Sequence, residues 1–166
     1  MIERTENALT TTGRWRKYAL IGSVVLFAAA CAAPALVLHV GQRLGTAGFR
    51  WERYQSIAGG SLLVSGLVFG WLRMNFTGFA NLPLWASWLL FARGHFGGAR
   101  LLALMALGMS METLQLLVQP YVWDEAMTTE GYLSAPHVGF ACWIGSMLLI
   151  AFASHRLMPE TIAWSA

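Results

Sequence analysis

The chain has 166 residues, room for one domain. Only 11% are charged, against about 25% in soluble globular chains, and the mean hydropathy is +0.54; a water-soluble fold would leave much apolar surface facing water. The net charge of +3 gives no reason to expect a nucleic-acid partner, because the basic residues stand at the ends of apolar runs and form no cluster interleaved with exposed aromatics.

Residues 1–17 are polar and basic, with Arg4, Arg14, Arg16 and Lys17 against Glu3 and Glu6. From Tyr18 to Val40 no charge appears, enough residues to cross about 30 Å of hydrocarbon at about 1.5 Å each. Pro34 should kink this first span, as membrane helices tolerate. A loop with Arg43, Arg50, Glu52 and Arg53 leads to a second span over 54–72. That span holds Ser56-xxx-Gly60 and Gly66-xxx-Gly70, the small-residue spacing that lets helix backbones approach. Residues 74–92 are uncharged but broken by Asn75, Gly78, Asn81 and Pro83. Only 82–92 is continuously apolar, too short to cross, and reads as an interfacial or re-entrant helix. A third span covers 101–120, interrupted by Glu112, and an acidic loop with Asp124, Glu125 and Glu130 follows. The last span covers 137–155, and 157–166 form a tail. Cys31 and Cys142 both fall inside apolar runs, with no spacing fit for zinc.

These elements predict an all-α integral membrane protein, a bundle of four transmembrane helices with one interfacial or re-entrant helix. Four spans place eight basic residues inside and three outside; a fifth span over 74–92 would make it five against six. The positive-inside rule therefore favours four, with both termini cytoplasmic in a cell inner membrane.

Glu112 is the residue that needs a reason, since a bare carboxylate within a span costs several kcal/mol. Gly108, Glu112, Gln115 and Gln119 recur at spacings of four, three and four, one face of a helix. The stripe reads either as a hydrogen-bonded packing network or as the floor of an outward-facing site. Arg53, His39 and His137 stand at the outer ends of other spans and could close that site, with Arg53 as the charge partner of Glu112. His39 with His137, and His95 with His155, would supply one histidine pair per membrane face, as a two-haem bundle needs. No nucleotide, metal or nucleophile motif is complete, and no cofactor is otherwise expected.

The stretch Ser110-Met111-Glu112-Thr113-Leu114-Gln115-Leu116-Leu117 resembles the Glu-x-x-Gln segment of VanZ-like membrane proteins. The resemblance covers about twenty residues around Glu112 and carries over Glu112 and Gln115 alone. The family's Gly-Arg turn is replaced by Pro120-Tyr121-Val122-Trp123, and its Asp at the last helix by His137-Val138-Gly139. Its Asp-Lys-x-x-His before the second helix gives way to Arg50-Trp51-Glu52-Arg53. The resemblance implies a small multi-span protein linked to glycopeptide (teicoplanin) resistance. The expected function is an outward-facing polar site around Glu112 that engages a lipid-linked or envelope-derived ligand, with membrane lipids as neighbours. The alternatives are a structural subunit of a larger membrane complex, with a membrane-protein partner or a second copy, and a b-type haem protein.

Overall fold

The computed structural model describes residues 2–43, 49–69, 77–117, 121–122 and 129–162. Helix α1 runs Ile2–Ala32, strand β1 Pro34–Arg43 and strand β2 Phe49–Ala58. Helix α2 follows at Gly59–Phe69, a 3₁₀-helix at Thr77–Ala80, α3 at Asn81–Ala92 and α4 at Phe96–Ser110. The chain then forms a 3₁₀-helix at Met111–Leu117, strands β3 (Tyr121–Val122) and β4 (Thr129–Pro136), and α5 (Val138–Ile162).

The expected all-α bundle of four spans is therefore corrected. Residues 34–43, 49–58, 121–122 and 129–136 build an antiparallel sheet of order β2-β1-β4-β3. Among the described residues only two helices are long and apolar enough to cross a membrane, Gly13–Ala32 and Val138–Met158. The run 18–40 divides at Pro34. Ala33 makes the last helical bond, to Ala29 O at 2.9 Å, and a proline has no N–H to continue the ladder. Beyond it Leu36, Leu38 and Val40 are buried while Val37 and His39 between them are less so, the period of a strand. The expected span 54–72 loses its first five residues to β2, leaving α2 with eleven. The span 101–120 ends as an α-helix at Ser110. Only the last, 137–155, stands close to its expected place, and α5 continues past it into the expected tail.

The helices pack side by side. Along α1 and α5, Gly22 faces Leu149 and Leu26 faces Gly145, so the two run antiparallel. Phe27 meets Trp85 and Trp88, and Arg16 approaches Gly94, so α3 descends along α1. The segment expected as an interfacial or re-entrant helix is α3, which lies lengthwise in the body, with Leu84, Ser87 and Phe91 fully buried. A turn at Arg93–His95, with Gly94 at φ 85°, a left-handed conformation that glycine adopts freely, returns the chain into α4. The body thus has a basic end, where Arg14, Arg16, Lys17, Arg93, Arg100 and Arg156 gather, and an opposite end capped by the sheet.

The body buries Leu84 and Phe91 of α3 and Met147 and Ile150 of α5, but along α4 and α1 the buried positions are mostly small and the large apolar ones face out. The buried positions of α4 are Phe96, Ala99, Ala103, Ala106 and Ser110, while Leu101, Leu104 and Met105 are exposed. Along α1 the buried residues Ala19, Ser23 and Ala30 contrast with exposed Ile21, Val24 and Val25. Three buried serines bond within their own helices: Ser87 Oγ donates to Leu84 O, Ser110 Oγ to Leu107 O and Ser146 Oγ to Trp143 O, whereas Ser154 Oγ, also buried, has no partner among the described residues. Two chains of hydrogen bonds tie the helices together. Trp88 Nε1 donates to Ser23 Oγ at 2.8 Å, and Ser23 Oγ to Ser146 O at 2.8 Å. Trp143 Nε1 donates to Asn81 Oδ1 at 2.9 Å, and Asn81 Nδ2 to Gly78 O at 2.9 Å.

Asn81→Leu should lower stability by about 1–3 kcal/mol, because it strands the Trp143 N–H and the Gly78 carbonyl. Adding Trp143→Phe should cost less than the sum of the two single changes, since the indole donor is then gone. Thermal unfolding in mild detergent measures both. Strict additivity would show that this bond contributes nothing.

Candidate functional site

Three corners where helix meets strand lie at one level. Gly59 N donates to Ala33 O at 3.0 Å, and His137 N to Ala35 O at 2.9 Å. A Cβ on Gly139 would stand 2.8 Å from Pro34 O. The sheet rises from this level, and Ala35, Leu36, Leu38, Val40 and Leu133 form a core on one of its faces, with Ile57, Leu62 and Phe140 packed against it.

The other face carries His39. Its neighbours in register are Tyr54 on β2 and Tyr132 on β4. The imidazole stacks on Trp51 at 4.0 Å and on Tyr54 at 4.4 Å, each at 12° between planes. Two rings of that size cannot lie side by side on one imidazole face at those distances, so they flank it. On a regular strand residues 51 and 54 would point to opposite faces. The register shifts between Val40 and Gly41, leaving Glu52 as an extra residue between the partners Arg53 and Trp51. This bulge brings Trp51 round to His39. Tyr132 meets the Trp51 ring edge-on at 5.8 Å. The result is a four-ring shelf in which Trp51 is 47% and Tyr54 66% exposed.

The expected polar stripe sits elsewhere on the same end. Glu112 lies in the 3₁₀-helix Met111–Leu117, half-buried, and Gln115 is exposed. Residues three apart eclipse on a 3₁₀-helix, so Glu112 and Gln115 still share a face. Gly108 is exposed with open space at its Cβ, so this face is open rather than interior. Gln119 lies outside the described residues. Between Glu112 and Gln115, Thr113 is 5% exposed, and its hydroxyl has no hydrogen-bond partner among the described residues.

The other expected site residues are dispersed. Arg53 is exposed on β2, opposite Val40, whereas the 3₁₀-helix of Glu112 packs against β4 and α4, with β1 between β2 and β4. His137 is exposed beside the first turn of α5, five residues along from Tyr132, the partner of His39. His95 is exposed at the far end of the body, and His155 Nδ1 lies 3.4 Å from Arg100 there. No group of three or more His, Cys, Asp and Glu that could hold a metal occurs among the described residues.

The helix-packing glycines are partly re-assigned. Ser56 is an exposed strand residue opposite Val37, so it forms no helix motif with Gly60. Gly60 packs on Cys31, where a Cβ would stand 3.1 Å from the carbonyl oxygen. Gly66 packs on Gly78, with a Cβ 2.7 Å from its Cα. Gly70 lies outside the described residues. The aromatic shelf is not legible in the sequence; the alternation of Leu36, Leu38 and Val40 around His39 signals the strand β1 but not the rings that gather across it.

No protein-family model, no curated protein and no solved structure matches the chain.

Proposed function

We propose that the protein is a multi-pass inner-membrane protein whose sheet end projects from the outer surface and engages an amphipathic, lipid-linked or envelope-derived ligand. The observation that carries the membrane reading is the packing of α1 and α4, which bury mainly alanine and serine and expose large apolar residues to the surroundings. Lipid is the solvent that favours this, because helices associate there by close packing of small residues and internal hydrogen bonds. A core helix in a soluble protein is mostly buried, but only 17% of the apolar window of α1 and 28% of that of α5 is buried.

An open sheet does not sit in hydrocarbon, where its edge N–H and C=O groups would lack partners. The sheet therefore belongs outside the bilayer, and the positive-inside rule puts the basic end in the cytoplasm. The antiparallel pair α1 and α5 then leaves both termini on that side. The outer end carries a carboxylate and an amide on the 3₁₀-helix and, elsewhere on the same end, an exposed shelf of rings, flat apolar faces and a few polar groups of the kind that suit an amphipathic ligand. The resemblance of Glu112-xx-Gln115 to VanZ-like proteins supports the same end as the working surface.

Glu112→Gln tests this reading. Lipids retained by the purified wild-type protein and by the variant are compared by mass spectrometry at equal membrane abundance. A charged contact contributes about 1.5–3 kcal/mol, so the variant should retain the outer-leaflet ligand roughly tenfold less well or worse. Equal retention would remove Glu112 from the site.

A further inference from the structure

We propose that the basic end holds the phosphate group of an anionic lipid, bound between Arg100 on α4 and His155 on α5. The proposal rests on the membrane reading above and concerns the opposite end of the molecule. Three segments converge there: residues 13–20 of α1, 91–103 around the α3–α4 turn, and 150–158 of α5. Together they hold Arg14, Arg16, Lys17, Arg93, Arg100 and Arg156; Glu160 follows one turn past Arg156 on α5. The Arg16 guanidinium lies against the turn, with Nη1 3.8 Å from the Cβ position of Gly94. Arg156 is drawn back over the Phe152 ring at 5.4 Å, which holds its charge along α5.

The contact that singles out one place is Arg100 Nη1 to His155 Nδ1 at 3.4 Å. A guanidinium only donates, so a neutral His155 must accept at Nδ1 and carry its proton on Nε2. A protonated His155 would instead set two cations against each other. In either state the groups facing outward are N–H donors with positive charge and no carboxylate of these segments to receive them. A phosphate offers several acceptor oxygens and matches a guanidinium in two-point geometry. Basic pockets between membrane helices on the cytoplasmic side bind acidic headgroups by this chemistry. The exposed apolar residues Leu101, next to Arg100, and Phe152, one helical turn before Arg156, would carry the acyl chains.

The delipidated full-length protein, reinserted in neutral-lipid nanodiscs, is titrated with phosphatidylglycerol and, separately, with phosphatidylcholine. Native mass spectrometry counts the bound lipid. Phosphatidylglycerol should be retained at least tenfold better than phosphatidylcholine. Arg100→Gln and His155→Gln should each cut that preference severalfold, Arg100→Lys should keep part of it, and Arg53→Gln at the opposite end should leave it unchanged. Equal retention of the two lipids by wild type, or an unchanged preference in Arg100→Gln, overturns the proposal. Displacement by millimolar inorganic phosphate would reassign the site to a soluble phosphate and overturn the lipid assignment. Failure to enter nanodiscs at all would overturn the membrane reading, whereas insertion without lipid preference would overturn this inference alone.

Discussion

Gly139→Val should abolish accumulation of the folded protein, and Gly139→Ala should cost about 3 kcal/mol, the upper end of the usual range for overpacking. A Cβ at this position would stand 2.8 Å from Pro34 O and 2.9 Å from Ala33 O. Both are backbone atoms, so no side chain can rotate away; α5 or the α1–β1 corner would have to shift. That corner also accepts the Gly59 N–H, and β4 is paired to β1 just beyond it. A displacement there propagates into both the sheet and the helices. Gly108 provides the control, because nothing lies within 4 Å of its Cβ position. Gly108→Ala should be neutral or stabilising by about 0.5–1 kcal/mol, as for any glycine in a helix interior with room for a methyl. Membrane abundance and thermal unfolding in mild detergent separate the two. A tolerated Gly139→Val would show that the three corners do not meet as described.

Labelling should divide the molecule into two compartments in an all-or-none manner. With Cys31 and Cys142 replaced by serine, a single cysteine at Ser134 on β4 should react with an impermeant maleimide while the inner membrane is intact. One at His95, in the α3–α4 turn, should react only after that membrane is opened. Both positions are exposed, so burial cannot account for a difference. The physical ground is the distribution of cations: the six of the basic end lie on the His95 side, away from the sheet, and such residues are retained in the cytoplasm. The reverse pattern would invert the molecule, and equal reactivity of both would remove the membrane between them.

The sequence by itself determined which helices have the length and apolarity to cross a membrane at the two ends of the chain. Gly13–Ala32 covers most of the apolar run expected at the start, and Val138–Met158 most of the last. Hydropathy over some twenty residues is a local property and needs no partner. It also marked Glu112 and Gln115, which share a face on an α-helix or a 3₁₀-helix alike. Tertiary structure decided the rest. Residues 35–40 are apolar enough for a helix, and only pairing with β2 on one side and β4 on the other makes them a strand, since a strand's hydrogen bonds go to other segments while a helix's stay within its own. The short apolar run at 82–92 had no local sign of what it lies against; burial of Leu84 and Phe91, and bonds from Trp88 and Asn81 to α1 and α5, turn it lengthwise into the body. The shelf of His39, Trp51, Tyr54 and Tyr132 needed both the register of three strands and one bulge, and neither is written in the spacing of residues along the chain.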